Sequence, residues 1–154
     1  MSENNTQLKV SAIKDGTVLD HIPAQNIFQI IDILDLTQSS NPVTIGINLE
    51  SKSLGRKGII KISDRFFSDE ELGRIALAAR DATVNIIRDY TVVEKKKIEI
   101  PDTVVGIAKC SNPMCVTNHQ NITTRFKTIK ECEKVKLLCH YCEKTTEEFI
   151  PLRH

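Results

Sequence analysis

Four of the five cysteines form two closely spaced pairs in the last third of the chain. Cys110 and Cys115 are separated by four residues, Cys139 and Cys142 by two, and 23 residues lie between the pairs. Each pair can occupy a tight turn that directs two thiolates to one point, and two such turns together make a tetrahedral sulfur site. Zn²⁺ suits such a site, and four thiolates leave no open coordination position. The spacing therefore predicts one structural zinc ion per chain.

Other interpretations of these cysteines are weaker. Two disulfides would close the same loops, but the polar start MSENNTQ lacks the apolar stretch of a secretory signal. We therefore expect a cytoplasmic location, where thiols stay reduced. A redox Cys-x-x-Cys would leave the other pair unexplained, and a catalytic zinc would usually have histidine or carboxylate ligands.

Three further residues near the pairs could be additional ligands. Cys132 lies outside both pairs, and we expect it to be a small, semi-buried residue. His119 and His140 are close enough in sequence to be spare ligands, but we expect them to lie on the surface or to contact a partner. The zinc site is thus predicted to consist of the four paired cysteines.

The composition excludes several classes of protein. Of the 154 residues, 40% are hydrophobic and 27% charged, which is typical of globular proteins, and no apolar run approaches the length of a membrane span. The net charge of +1 and an aromatic content of 5% give little support for a nucleic-acid binder. We expect no nucleic acid and no membrane among the partners.

The distribution of cysteines divides the chain. The first hundred residues contain none, and residues 95–101, KKKIEIP, combine a basic run with a proline, as a connector would. We predict one domain over residues 1–100 and a second over residues 101–154. A segment as short as the second is close to the size at which a core alone rarely suffices, so it should unfold without its metal.

The elements of the first domain follow from its hydrophobic periodicity. Predicted strands cover residues 8–13, 17–22, 43–49, 58–62 and 83–87, with residues 90–93 as an extension of the last. A helix is predicted from Pro23 to about Leu36, and another after Ser68, which begins a capping box. Their buried apolar faces are predicted to consist of Ile27, Ile30, Ile31 and Leu34 in the first helix and of Leu72, Ile75, Ala76 and Ala79 in the second. Apart from an extra hairpin segment near the start, the order is β-α-β-β-α-β, which predicts a ferredoxin-like sandwich, or split βαβ. Followed by a small all-β, rubredoxin-like zinc ribbon, it makes the chain an α+β protein.

Polar side chains interrupt the apolar strands of this first domain. Asp20 and His21 precede the first helix, Lys61 lies within GIIKI, and Asn85 lies within TVNII. Each could simply occupy the solvated side of the sheet. Together with Lys95 they could instead form an anion site, in which the carboxylate accepts from ribose hydroxyls and the cations neutralise phosphates. No Walker loop, Rossmann fingerprint, HExxH motif or convincing nucleophile and base pair occurs.

Three phrases of the sequence resemble one family. The phrases AIKDGTVLDHIPAQ (12–25), TIGINLESKSLGRKGIIKI (44–62) and ATVNIIRDYTVV (82–93), followed by the two cysteine pairs, resemble the regulatory chain of aspartate carbamoyltransferase. The resemblance runs nearly end to end. It implies a noncatalytic chain with an effector domain and a zinc domain that contacts the catalytic chain, and regulatory homodimers that bridge catalytic trimers. The effectors it implies are the nucleoside triphosphates CTP, ATP and UTP, acting on the first committed step of pyrimidine biosynthesis.

The resemblance also implies roles for individual residues. Asp20 would hold the ribose, Lys61 the base, and Lys95 and His21 the sugar and phosphates. The base pocket would be lined by Val10, Ala12, Ile13, Val18, Asn85, Ile87, Tyr90 and Val92. Lys57 and Ser51 would contribute to a second nucleotide or its Mg²⁺. The paired cysteines would be the zinc ligands, and the surface that meets the catalytic chain would include Asn112, Tyr141 and Glu143.

The sequence departs from the family pattern at several positions. Serine replaces an acidic residue at Ser11 and Ser63, Gln7 replaces a lysine, and His140 stands where lysine is usual. Glu131 stands where a basic residue is expected, so one interface ion pair should be absent or reversed. Two other classes compete with this interpretation, a nucleic-acid-binding zinc ribbon and an enzyme that uses the zinc. The sparse aromatic residues oppose the first, and the four thiolates without a base oppose the second.

Overall fold

The computed structural model describes residues 12–132 and 134–152. The chain divides into two compact units between Glu99 and Ile100, and each unit is described by itself. The predicted first strand falls mostly at residues 8–11, outside the described residues, and residues 12 and 13 belong to no helix or strand.

The first unit contains five strands and two short α-helices among its described residues. In chain order they are β1 (Gly16–Pro23), α1 (Ile27–Ile33), β2 (Val43–Ser51), β3 (Gly55–Ser63), α2 (Asp69–Ile75), β4 (Thr83–Arg88) and β5 (Thr91–Lys97). Short 3-10 turns at Ala24–Asn26 and Leu36–Gln38 flank α1. The strands form one antiparallel sheet in the order β2-β3-β1-β4-β5. Without β5, this is the order of a ferredoxin-like sandwich, so the predicted fold is confirmed.

The helices pack on one face of this sheet. Leu19, Ile60 and Val84 lie opposite one another on β1, β3 and β4 and are fully buried. Gly58 lies on the same side of β3 as Ile60, and a Cβ atom there would overlap the side chain of Ile27 at the start of α1. This face is therefore covered by α1, and α2 packs beside it. The opposite side is called the distal face below.

The first predicted helix is shorter than expected. Pro23 is the last residue of β1, a 3-10 turn follows it, and the α-helix ends at Ile33. Asp35 adopts a left-handed conformation with φ of 53°, which cannot continue a helix. The predicted bounds at Pro23 and Leu36 were thus wrong. The predicted apolar face is confirmed, because its four members are all buried: Ile27, Ile30, Ile31 and Leu34.

The second helix begins at the predicted capping box. The Ser68 hydroxyl accepts a hydrogen bond from the Glu71 N–H at 3.2 Å, and the Glu71 carboxylate accepts one from the Ser68 N–H at 2.9 Å. Each bond satisfies a donor that the first helical turn leaves without a partner. The predicted buried stripe is confirmed, although Ala76 and Ala79 lie beyond the last helical residue, Ile75.

Residues 90–93 do not extend β4. Asp89 and Tyr90 have φ angles of 50° and 63°, and they form a two-residue turn between Arg88 and Thr91. Such a turn needs positive φ at both positions and reverses the chain into an antiparallel hairpin. β5 is therefore a separate strand, and it includes Lys95–Lys97, which the sequence assigned to the connector.

The second unit is an all-β domain, as predicted. Its strands β6 (Thr103–Val105), β7 (Arg125–Glu131), β8 (Lys134–Cys139) and β9 (Thr145–Thr146) form an antiparallel sheet in that order. Its small core is built around Phe126, which is fully buried. Among all residues that the structure describes, no helix is long and apolar enough to cross a membrane.

Candidate metal centre and effector site

The four paired cysteines converge at one point of the second unit. Their sulfur atoms all lie within 4.8 Å of one another, and Cys110 to Cys142 and Cys115 to Cys139 are both 3.7 Å. A tetrahedral ion with Zn–S bonds of about 2.3 Å requires sulfur separations of about 3.8 Å. A disulfide would require about 2.05 Å. The donor set and its spacing therefore fit a four-thiolate structural metal site.

Hydrogen bonds hold the first cysteine turn in shape. The side-chain amide of Asn118 donates to the carbonyl oxygens of Cys110 at 3.0 Å and Asn112 at 2.8 Å. The Cys115 N–H donates to the Asn112 carbonyl at 3.0 Å. Sequence reasoning missed the role of Asn118, although an asparagine just after a ligand cysteine is a residue that often bonds to nearby backbone.

Backbone hydrogen bonds hold the two ends of the second cysteine turn together. The Glu143 N–H donates to the Cys139 carbonyl, and the Cys139 N–H donates to the Lys144 carbonyl, both at 3.0 Å. Glu143, directly after Cys142, has a φ angle of 62°, which closes the turn. Cys139 is also the last residue of β8, so the sheet fixes one side of the metal site.

The surroundings of the thiols set how readily each loses its proton. Burial raises the pKa of Cys110 to about 12, and burial also raises the pKa of Cys139. Burial acts in the same direction on Cys142, but hydrogen bonds from the Lys144 N–H and the Asn112 side chain outweigh it and lower its pKa to about 7. Without a metal, Cys110 and Cys139 therefore keep their protons at neutral pH, and a bound ion must displace them.

The other predicted candidates do not join this cluster. Cys132 is exposed in the turn between β7 and β8 with a φ angle of 49°, so the expectation that it is semi-buried was wrong. Its position in this turn leaves its side chain outside the sheet. His119 and His140 are exposed, as expected; His119 donates to the Pro113 carbonyl and His140 contacts the Tyr141 ring edge to face.

A row of four predicted effector residues crosses the first unit. Lys61, Val18, Asn85 and Lys95 lie directly opposite one another on β3, β1, β4 and β5. Directly opposed residues of antiparallel strands point to the same face of the sheet, and here it is the distal face. We call these four residues the cross-sheet row. Thr44 on β2, which sequence reasoning did not single out, continues the row beside Lys61.

A β-bulge positions Asp20 beside this row. Asp20 and His21 together face Ile59 on β3, and His21 has a φ angle of 59°. The Asp20 Oδ1 atom accepts hydrogen bonds from the His21 N–H at 2.6 Å and from the Lys57 ammonium at 2.8 Å. Because both bonds use one oxygen, the bulge and Lys57 fix the direction of the carboxylate.

Two opposing effects act on the pKa of Lys61. Partial burial lowers the pKa of Lys61, and attraction to the carboxylate of Asp20 opposes that shift. His21 lies close to the same carboxylate, with its Nδ1 atom 3.8 Å from Asp20 Oδ2 and 3.4 Å from the Thr83 hydroxyl. The carboxylate thus lies among three basic side chains.

Only some of the remaining predicted effector residues lie near the cross-sheet row. Ile87 and Val92 lie opposite one another on the distal face, next to the cross-sheet row, and Tyr90 is exposed in the adjoining hairpin turn. Ala12 and Ile13 precede β1, while Val10, like Ser11 and Gln7, lies outside the described residues. Ser51 is at the far end of β2, beside Gly55 and with its hydroxyl 3.4 Å from Ser53, so the structure does not bring it to the row.

The predicted contact residues for a catalytic chain surround the metal site. Asn112 lies in the first cysteine turn, and Tyr141 and Glu143 lie in the second, with Tyr141 42% exposed. Met114 in the first turn is 80% exposed and was not singled out from the sequence. Glu131 forms an ion pair of 3.5 Å with Lys136 of the same chain.

Comparisons with known proteins match both units. The family description "Aspartate carbamoyltransferase regulatory chain, allosteric domain" matches residues 8–99, and the description "metal binding domain" of the same regulatory chain matches residues 102–150. The chain belongs to the aspartate carbamoyltransferase regulatory chain family. The resemblance noted in the sequence is thereby confirmed.

Curated relatives are similar in sequence to this chain over nearly its full length. The regulatory chain of Pyrococcus abyssi is 55% identical over 144 residues, covering 92% of this chain and 94% of the relative. The chain of Phocaeicola vulgatus is 51% identical and that of Bacteroides fragilis 50% identical, each covering 94% of this chain. These similarities identify a noncatalytic regulatory subunit with an allosteric domain and a metal-binding domain.

The pKa values of the thiols predict the response of the metal site to pH. Metal binding removes thiol protons, so the apparent affinity should fall as pH falls, by about tenfold per pH unit for each proton displaced. The fall should steepen below pH 7, where Cys142 also takes up a proton. Competition with a chromophoric chelator between pH 6 and 8 would measure this. An affinity independent of pH would contradict the thiolate assignment.

Proposed function

We propose that the chain binds nucleoside triphosphates on the distal face of its first unit and so regulates aspartate carbamoyltransferase, at the first committed step of pyrimidine biosynthesis. The observation that supports this most is the cross-sheet row, with Lys61 and Lys95 on either side of Val18 and Asn85 and with Asp20 beside it. Cations, a carboxylate and an apolar residue on one face match the parts of a nucleotide.

Each part of the nucleotide has a suitable group in this arrangement. Asp20 accepts hydrogen bonds from the ribose hydroxyls, Lys61 contacts the base, and Lys95 and His21 neutralise the phosphates. Lys57 already bonds to Asp20, which supports a role for Lys57 at the sugar end. Mg²⁺ accompanies the triphosphate, because phosphate oxygens are its usual partners. CTP, ATP and UTP are the effectors that we propose.

Regulation requires more than tight binding. A nucleotide changes a distant active site only if it binds differently to two states of the assembly, with a typical coupling of about 1–3 kcal/mol. A cation such as Lys61, which is partly buried beside Asp20, can respond to a bound triphosphate by changing the charge balance at the β1 bulge. We propose this bulge as the point at which the effector alters the protein.

Removal of the cations should weaken nucleotide binding. Lys61→Ala and Lys95→Ala each delete a charged hydrogen-bond donor, so we expect a loss in affinity of about tenfold or more for CTP and ATP. Lys127→Ala, which removes an exposed lysine of β7 in the other unit, serves as the matched control. Titration calorimetry on the full chain would measure the three affinities. Unchanged affinity in both Lys61→Ala and Lys95→Ala would refute the proposed pocket.

We further propose that the metal is zinc and that it shapes the surface that binds the catalytic chain. Four thiolates at these separations suit Zn²⁺ better than oxygen-preferring ions. Both cysteine turns carry exposed apolar side chains, Met114 and Tyr141, directly beside ligands of the metal. A rigid turn with an exposed apolar side chain is a suitable anchor for a partner protein. Cysteines must be reduced to bind a metal, which also favours a reducing, cytoplasmic location.

Assembly with the catalytic chain should depend on the metal and on these turns. The zinc-loaded chain mixed with the catalytic chain of the same organism should give a larger complex in size-exclusion chromatography with light scattering. The chelator-treated chain and the Met114→Lys variant should not, whereas Val105→Lys, at an exposed residue of β6, should behave as the wild type. A complex that forms equally well without metal would disprove this role, and binding of RNA in place of the catalytic chain would favour the zinc-ribbon alternative.

The two edges of the first sheet differ, which supports a proposal for the homodimer. The outer strand β5 carries Glu94 and three lysines and has a bulge opposite β4, and such features discourage pairing between edges. The outer strand β2 has the sequence VTIGINLES, and its Ile45 is 41% exposed. We propose that two chains associate through β2.

A charge placed on the β2 edge should therefore prevent dimer formation. We expect Ile45→Lys to shift the chain from dimer to monomer in sedimentation velocity at micromolar concentration, because each partner would bury an unpaired charge. Val93→Lys on the opposite edge is the matched control and should remain dimeric. If both variants were dimeric, or if the wild type were a monomer, the β2 interface would be wrong.

A further inference from the structure

Thr117 contacts one of the four metal ligands through its side chain. Its hydroxyl oxygen lies 3.2 Å from the sulfur of Cys115, a residue that is 1% exposed. When a metal ion holds Cys115 as a thiolate, the sulfur has no proton to donate. The hydroxyl must then be the donor in this hydrogen bond, and the thiolate the acceptor.

The other three sulfurs all receive hydrogen bonds from backbone N–H groups, and Cys142 also receives one from the Asn112 side chain. The Asn112 N–H donates to Cys110, the N–H groups of Tyr141 and Cys142 donate to Cys139, and the Lys144 N–H donates to Cys142. A backbone donor is fixed by the turn itself. At Cys115 a side-chain hydroxyl makes the corresponding contact, so this ligand depends on the residue type at position 117.

The chain around Thr117 holds the hydroxyl in place. Thr117 is the central residue of the 3-10 turn Val116–Asn118, in which the Asn118 N–H donates to the Cys115 carbonyl at 2.9 Å. The side chain of Asn118 bonds to the first cysteine turn, so the turn and the metal site are joined on both sides of Thr117. The branched threonine side chain adds its own restriction at χ1.

We propose that Thr117 is a positioning residue that slows metal release by donating its hydroxyl proton to the Cys115 thiolate. A hydrogen bond to a ligand sulfur fixes its orientation and draws charge away from it, so a proton or a competing ion attacks that sulfur less readily. This inference rests on the proposed zinc site. It adds that the Cys115 ligand controls the rate at which the metal is released.

Zinc release from the full-length chain tests this proposal. Thr117→Val keeps the branched shape but removes the hydroxyl, and it should transfer zinc to a chromophoric chelator about tenfold faster than the wild type. Thr117→Ser keeps the hydroxyl and should release zinc at close to the wild-type rate. Thr103→Val, at an exposed threonine of β6, is the matched control for the substitution itself and should have no effect.

A spectroscopic measurement distinguishes loss of the Thr117 hydrogen bond from a general loosening of the metal site. In the cobalt-substituted protein, the sulfur-to-cobalt charge-transfer band should move to longer wavelength in Thr117→Val, because the sulfur becomes richer in electrons, but not in Thr117→Ser. If Thr117→Val does not take up metal fully, the pair Thr117→Ala and Thr117→Ser provides the same comparison.

The outcomes distinguish this proposal from the zinc site on which it rests. A wild-type chain that holds no stoichiometric zinc would overturn the metal assignment. A zinc-loaded chain in which Thr117→Val releases metal at the wild-type rate would overturn the role of Thr117 alone. If Thr117→Ser released zinc as fast as Thr117→Val, the role of Thr117 would also be overturned, because the hydroxyl would then have no effect.

Discussion

Convergence of four cysteine thiols at one point is the constraint on which the second unit depends. Its strands are two to seven residues long, and its core is centred on Phe126 with a few smaller apolar side chains around it. So small a core contributes little stability by burial alone. A structural zinc ion adds on the order of 10–16 kcal/mol of coupled folding free energy. With such an ion bound, the turns with Met114 and Tyr141 would keep their shape because the metal would hold their cysteines.

The first unit depends on a different constraint, the register of its antiparallel sheet. Side chains alternate between faces, so a slip of one residue in β3 would move Lys61 to the helix face and Ile60 to the distal face. The fully buried row of Leu19, Ile60 and Val84 prevents such a slip, because it would expose apolar surface. The apolar core under α1 thus fixes the polar row on the other side of the same strands.

Much of this architecture could be predicted from local sequence signals. The cysteine spacing identified the four cysteines that converge, the Ser68 capping box identified the start of α2, and the apolar periodicity identified the buried face of α1. These signals act within a few residues, so they remain readable without a tertiary structure. The errors occurred where a single backbone conformation decided the outcome: the left-handed Asp35 ended α1 early, and the two-residue turn at Asp89 and Tyr90 made β5 a separate strand.

The sequence by itself determined which residue types could do chemistry: four cysteines in two pairs, and a carboxylate with basic residues within apolar strands. Only the tertiary structure decided which of them meet. Sheet register placed Lys61, Val18, Asn85 and Lys95 in one row, and the β1 bulge brought Asp20 to Lys57. The tertiary structure left Ser51 at the far end of β2 and Cys132 in an exposed turn. The reason is that strand pairing joins residues far apart in sequence, and local patterns do not encode that pairing.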